Sequence, residues 1–419
     1  MPKLSLLASG LSRREKMFGV ITDALIVLAA AIFTGELFEQ FGLPSVAGEL
    51  LSGMIVGPTL LGFVTITSDL RAVSSIALFF IIFHIGLEMK TQMVRRNVLG
   101  ATVLSLTSFM IPLLLTTVAA VFLLPFNLQA NLVVALAISV PSISLISVLV
   151  MKSKLIQTHT GQIILSSVTV SNVLAFIILA GLTRSLEATF FIVAETVAFV
   201  IGFAWVDWFL NRRPDSFQGF LGKISRLFKR EDFPLAFLII SALAISAIFQ
   251  NIGLSYILGA FFAGLIVHDG LIGEKAFERI TKTLSSINRI FFIPIFFGVA
   301  GLEVNLINIE NGIYAALAII VALAFAVGVY STFYISRKSL QCRLNLVPRQ
   351  VAAILGGRGA IGIVIASVAL EGGVLEEVGF SLVVIATLIM SIAVAFAAGN
   401  LRKKREAIKG EEYINSCIE

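Results

Sequence analysis

Charge is what this sequence lacks. Asp, Glu, Lys and Arg make up 13% of its 419 residues, against roughly 25% in a soluble domain. A water-soluble fold of this size has no polar surface to draw on here, which excludes an ordinary soluble enzyme, a disordered chain and a nucleic-acid-binding domain. Cysteine is scarce too. Cys342 and Cys417 are the two present, too few for a disulfide framework or a thiolate metal cluster. What fills the chain instead is apolar: 58% of residues are hydrophobic, with mean hydropathy +1.00. The composition describes a polytopic membrane protein. The apolar runs are continuous rather than alternating with period two, which excludes a transmembrane β-barrel.

A helix that crosses a bilayer needs about 20 mostly apolar residues. Thirteen runs meet this, at 20–41, 44–63, 70–89, 98–124, 129–151, 161–182, 189–211, 234–250, 253–268, 289–303, 312–336, 347–370 and 378–399. The predicted fold class is therefore all-α, with about 13 transmembrane helices. The run after Arg13, Arg14 and Lys16 has no small-residue cleavage site and reads as a retained first helix. Thirteen crossings put the termini on opposite sides. One side holds the N-terminus and six basic residues, among them Arg71 and Arg184; the other holds 24, including the Arg402–Arg405 run, and Arg358 falls inside a span. The positive-inside rule places the 24 in the cytoplasm. Segment 1–19 is then external, 20–399 forms the membrane domain, and 400–419 is a cytoplasmic tail of a multi-pass plasma-membrane protein. Residues 211–233 read as a basic amphipathic segment at the cytoplasmic interface.

The chain repeats itself at an offset of 211–215. Gly48-Glu-Leu-Leu-Ser-Gly53-Met-Ile-Val56 matches Gly259-Ala-Phe-Phe-Ala-Gly264-Leu-Ile-Val267, and Gly86-Leu87-Glu88 matches Gly301-Leu302-Glu303. The pairs fall in spans two and nine, then three and ten. Two six-helix repeats, about 20–182 and 234–399, joined by a linking helix at 189–211, would have opposite orientations. Inverted repeats are a hallmark of secondary transporters. The fifth span of each repeat carries an interruption: Ser139-Val-Pro141-Ser142 in one, Gly356-Gly357-Arg358-Gly359 in the other. Proline removes a backbone donor and glycine favours unwound conformations. Unwound backbone at membrane depth is tolerated where it lines a protein site. Two broken helices crossing near the midplane, with the substrate site between them, are expected.

Polar residues within spans supply the remaining candidates. Arg358 at mid-membrane is functional or structurally paired. Asn172 and Ser171 sit midway along span six, after Ser166, Ser167 and Thr169; their alternative role is helix packing. Glu49 in span two is placed to face a cavity. His84 in span three suits a proton relay or a hydrogen-bonded packing position. Gly357-Arg-Gly359-Ala-Ile-Gly362 fits a dinucleotide fingerprint, but its flanks are membrane spans rather than a βαβ unit. No cofactor and no catalytic residue is predicted.

With these segments in view, residues 20–399 resemble the monovalent cation:proton antiporters, in particular the sodium/proton exchangers with bacterial and archaeal members. The resemblance rests on Gly48 to Pro58, Gly86-Leu87-Glu88, Leu258 to Leu265, Phe292 to Phe297 with Gly301-Leu302-Glu303, and Arg358-Gly359. It implies a homodimer through a scaffold domain and a mobile core holding the two broken helices. It also exposes a departure. Where the family usually carries Asp-Asp or Asn-Asp in span six, this chain reads Ser171-Asn172; Ser139-Val140-Pro141 and Arg358-Gly359-Ala360 depart likewise. An amide does not titrate near neutrality, so the usual carrier of proton coupling is missing. The resulting expectation is secondary active transport of Na⁺ or K⁺ by cation/proton antiport with non-standard coupling, with Asn172, Ser171, Ser139, Pro141 and Ser142 at the ion site. Arg358 would stabilise the crossing, and Glu49 or His84 would relay protons. The open alternatives are an anion or neutral solute on the same fold, and a non-transporting membrane regulator.

Overall fold

A computed structural model describes residues 2–41, 43–88, 98–152, 155, 158–182, 233–251, 256–267, 272–305, 311–337 and 348–405. The predicted linking helix 189–211 and the basic segment 211–233 lie outside the described residues. The other twelve spans are helical.

The first repeat contains α1 (Pro2–Gln40), α2 (Ser45–Val56), α3 (Ser68–Glu88), α4 (Val98–Ser105), α5 (Ile111–Leu123), α6 (Leu128–Ser139), α7 (Ile143–Lys152) and α8 (His159–Leu182). The second contains α9 (Phe233–Asn251), α10 (Tyr256–Ile266), α11 (Glu274–Ile287), α12 (Ile293–Leu302), α13 (Asn311–Ile335), α14 (Pro348–Leu355), α15 (Ala360–Glu371) and α16 (Glu377–Arg405). A π-helical turn joins α4 to α5 (Leu106–Met110) and another joins α11 to α12 (Asn288–Phe292). Among the described residues, eight helices are long and apolar enough to cross a membrane.

Several boundaries differ from the hydropathy reading, each for a local reason. Span two stops at Val56, because Pro58 drives Gly57 out of the α region into extended backbone (φ −79°, ψ −177°). Span ten is longer than its apolar part, running Glu274–Leu302 as a single crossing unit. Its first turns are amphipathic, with Glu274, Lys275, Glu278, Arg279 and Lys282 interrupting the apolar pattern. The first helix begins at Pro2 and the last runs to Arg405, since neither end carries a breaker that would stop it at the apolar boundary.

Both π turns have the same origin. Each is followed by a proline, Pro112 or Pro294, two residues past its end. Proline has no N–H for the carbonyl four residues back. Ile111 N–H therefore donates to Leu106 and Ile293 N–H to Asn288, five residues back in each case.

The repeat is visible in how glycines pack. A Cβ on Gly53 would strike the Gly298 carbonyl and lie 2.9 Å from the Gly301 Cα. A Cβ on Gly264 would strike the Phe83 carbonyl and lie 3.0 Å from the Gly86 Cα. Thus α2 crosses α12 as α10 crosses α3, backbone against backbone, through the residues matched in sequence. Gly48 lies against Thr34 in the same way that Gly259 lies against Ser246, and Thr34 and Ser246 are themselves 212 residues apart. Spans two and nine are both short, at 12 and 11 helical residues, and spans five and twelve are both broken. A chance match of apolar segments would not reproduce pair contacts, lengths and breaks together.

The helices divide into two bundles. One, the scaffold, contains α1, α2, α3, α9, α10, α11 and α12; the other, the core, contains α4 to α8 and α13 to α16. The closely packed helix pairs lie within one bundle or the other, and α2 against α16 is the principal helix pair joining them. The middles of α6 and α15 are buried on all sides, from Val133 to Ser139 and from Ile361 to Ala369, which is why neither shows an amphipathic pattern.

Candidate functional site

The two broken helices meet at their breaks. Pro141 and Arg358 form an isolated antiparallel bridge, and Ser142 N–H donates to the Gly357 carbonyl at 2.9 Å. The interruption in each repeat thereby satisfies part of the backbone that the other exposes. Gly359 allows the approach: a Cβ there would lie 3.2 Å from Ser142 Oγ. Ser391 on α16 donates to the Arg358 carbonyl at 3.2 Å.

Around this crossing the serines are tied to neighbouring helices. Ser139 Oγ lies 2.8 Å from Thr116 Oγ1 on α5. Ser171 Oγ lies 3.0 Å from Ser105 Oγ on α4 and reaches the Ser167 carbonyl at 3.0 Å. Asn172 is different. It is wholly buried, and neither its Oδ1 nor its Nδ2 has a hydrogen-bond partner. Burying an amide without partners costs on the order of 1–3 kcal/mol per group, so an orphaned Asn172 is a position suited to a ligand. Its helix, α8, packs against α6, α7, α14 and α15, the four halves of the crossing. One turn on, Phe176 packs on Phe261 of α10, ring centroids 4.6 Å apart. Residues four apart share a helix face, so Asn172 sits on the face of α8 that meets the scaffold.

Arg358 is 1% exposed. Its guanidinium turns from the crossing toward α4, α5 and α13. Nη2 donates to the Ser108 carbonyl at 2.7 Å, and the group lies on Gly328, where a Cβ would be 2.6 Å from Nη2. The Ser331 hydroxyl takes the adjacent Thr107 carbonyl at 2.7 Å. Both carbonyls belong to the π turn that Pro112 causes, so the proline in span four makes the acceptor that Arg358 uses. Pro112 was the available sequence signal for this contact; Gly328, Ser105 and Thr116 carried none.

Glu49 and His84 do not join this cluster. Both are buried, but on α2 and α3 of the scaffold. Glu49 packs against Gly35, where a Cβ would lie 3.2 Å from its Cγ, and its Oε2 has no partner. His84 Nε2 lies 3.7 Å from Glu88 Oε1, one turn along the same helix.

A cleft of about 630 Å³ opens between the bundles at the end of the molecule holding the α2–α3, α12–α13 and α15–α16 connections. Ser75, Arg71, Glu303, Ser367 and Glu371 line it. Arg71 Nε pairs with Glu303 Oε1 at 3.1 Å within the scaffold. Glu371, at the tip of core helix α15, bridges the bundles: Ser75 on α3 donates to its Oε1 at 2.8 Å, and Tyr256 on α10 donates to its Oε2 at 3.3 Å. Asn305 N–H donates to Ser381 Oγ at 2.9 Å, a second link of the same kind. No motif or periodicity in the sequence marks Glu371, Ser75 or Tyr256.

Comparison with known proteins follows the same architecture. The family described as sodium/hydrogen exchanger, transmembrane, matches residues 25–398. A probable Na⁺/H⁺ antiporter 3 from Methanocaldococcus jannaschii is 25% identical over 291 residues, 68% of this chain and 72% of the relative. The Na⁺/H⁺ antiporter NhaS4 from Synechocystis is 27% identical over 405 residues, 89% of this chain and 94% of the relative. The solved structure of the sodium proton antiporter MjNhaP1 from Methanocaldococcus jannaschii superposes with a TM-score of 0.69 at 14% identity, covering 91% of this chain and 95% of that one. At that identity the likeness establishes the fold.

Proposed function

The chain belongs to the sodium/hydrogen exchanger family, and we propose that it exchanges a monovalent cation, Na⁺ or K⁺, for protons across the plasma membrane. It is a multi-pass membrane transporter rather than an enzyme. The observation that carries the site assignment is Asn172: a wholly buried amide with no partner, on the helix that packs against all four halves of the crossing. Neutral oxygens can coordinate a dehydrated alkali cation. The Asn172 Oδ1 is the available ligand, with the Ser139 and Ser142 region and the freed backbone beside Pro141 completing the shell. Ser171 holds α8 against α4 through Ser105 and thereby sets the Asn172 position.

Coupling to protons takes another route than a carboxylate in span six. An amide cannot exchange a proton for a cation, so the two ions do not compete for Asn172 as they would for an acid. Glu49 and His84 are the buried titratable groups proposed to carry the proton, from the scaffold side of the bundle interface. The scaffold also supplies the homodimer contact in this reading. The N-terminus and the cleft at Glu371 face outside, the C-terminal tail faces the cytoplasm, and residues 20–399 form one membrane domain of two inverted halves.

Proteoliposomes loaded with a pH-sensitive dye test the proposal. Proton movement should follow a Na⁺ or K⁺ gradient, Asn172→Ala should abolish it, and Asn172→Asp should make it strongly pH-dependent. Exchange that survives Asn172→Ala, Glu49→Gln and His84→Ala would place the site elsewhere. Absence of cation flux in both the native protein and Asn172→Asp would favour an anion or neutral solute.

A further inference from the structure

Arg358 carries a full charge that nothing described in the core neutralises. Among the described residues, the buried charged or titratable side chains are Glu49, His84 and Arg358, and the first two belong to the scaffold. The acceptor that Arg358 does have, the Ser108 carbonyl, is neutral. The crossing does not help either. It brings together two helix N-termini and two C-termini, worth about half a charge each and of opposite sign, so their sum is close to zero. An isolated guanidinium removed from water is costly by several kcal/mol, and such groups are normally paired.

The donors around it are unspent. Arg358 Nε and Nη1 have no partner, and neither does the hydroxyl of Ser108, the residue whose carbonyl holds Nη2. Thr332 Oγ1 is also buried without a partner. It lies one helical turn beyond Gly328, on the same face of α13, and Gly328 is the residue on which the guanidinium rests. Two unpartnered hydroxyls and a cation with free N–H groups are thus carried by three elements that meet around Arg358: the π turn, α13 and the break before α15. Water would satisfy the donors but not the charge. A divalent oxyanion would reverse the charge. We propose that the core binds one small monovalent anion, of chloride size, against Arg358, Ser108 and Thr332, as a resident counter-charge. Its single negative charge would leave the buried interior of the core neutral. The proposal rests on the surroundings of Arg358 and holds whether Na⁺ or K⁺ crosses the membrane.

The test uses the full-length protein in detergent, at fixed pH, ionic strength and Na⁺ concentration, with chloride, bromide, sulfate or gluconate as the anion. The melting temperature should rise by about 5 °C in saturating chloride or bromide relative to gluconate, and sulfate should give no such rise. Ser108→Ala and Thr332→Val, which leave the Arg358–Ser108 carbonyl bond in place, should each weaken the chloride midpoint about tenfold. Arg358→Gln should remove the dependence, and a bromide-soaked crystal should show its anomalous peak beside residue 358. Equal melting in all four salts would overturn the proposal, as would a chloride midpoint unchanged in both hydroxyl variants. Uptake of radioactive chloride into vesicles in exchange for external chloride would also overturn it, because the anion would then be cargo and not a counter-charge.

Discussion

The Ser108 carbonyl accepts Arg358 Nη2 at 2.7 Å, and it is free to do so because Pro112, four residues on, has no N–H to offer it. A helix irregularity in span four and an arginine at the break of span twelve are therefore two halves of one contact. Gly328 completes it by leaving room for the guanidinium.

Arg358→Lys should lower stability by about 2 kcal/mol, the range for losing a hydrogen bond to a charged group. Gly328→Ala should cost a similar amount, because its methyl would displace the same guanidinium. The two effects should not add in the double variant, since they remove one contact. Unfolding in detergent, followed by intrinsic fluorescence, measures all three.

The glycine crossings give a second expectation. Gly53→Ala and Gly264→Ala each place a methyl on a carbonyl of the partner helix, and each should cost at least about 2 kcal/mol through forced separation of the backbones. Gly312 has nothing within 4 Å of such a methyl, and Gly312→Ala should be neutral or slightly stabilising. Equal tolerance at the three positions, read from melting curves, would contradict the observed helix approach.

Glu371 holds the core to the scaffold through Ser75 and Tyr256, and movement of one bundle past the other has to break that link. Glu371→Ala should expose the floor of the cleft. A cysteine at Ser367, in a background with Cys342 and Cys417 replaced by serine, should then react several-fold faster with a membrane-impermeant thiol reagent added outside. An unchanged labelling rate would mean that the link does not restrain the bundles.

Orientation is testable by itself. A reporter fused after Glu419 should be cytoplasmic and an epitope before Met1 should be reachable from outside. Both termini on one side would require an even number of crossings, and would be incompatible with two six-helix repeats and a single linking helix.

The sequence by itself determined the class, twelve of the spans now seen as helices, the repeat, and the positions of both breaks, because each is a local or periodic property. Apolar run length reports a membrane crossing, Pro141 and Gly357–Gly359 interrupt helices wherever they sit, and Gly53 and Gly264 repeat at matching positions. Helix ends were less legible where chain-local chemistry opposed hydropathy, as at Gly57-Pro58 and in the amphipathic turns of α11. What only the tertiary structure decided is which polar residues meet. Glu49 and His84 look as available as Asn172 along the chain, yet they lie in the other bundle. Arg358 looked outward from its own break to a carbonyl 250 residues away, and Glu371 found its partners 296 and 115 residues away. Hydropathy and periodicity measure how a residue relates to its neighbours in sequence. The sharing of a buried charge or an orphaned amide depends on long-range packing, and inside a bilayer that packing determines which polar groups have partners and which are left for a ligand.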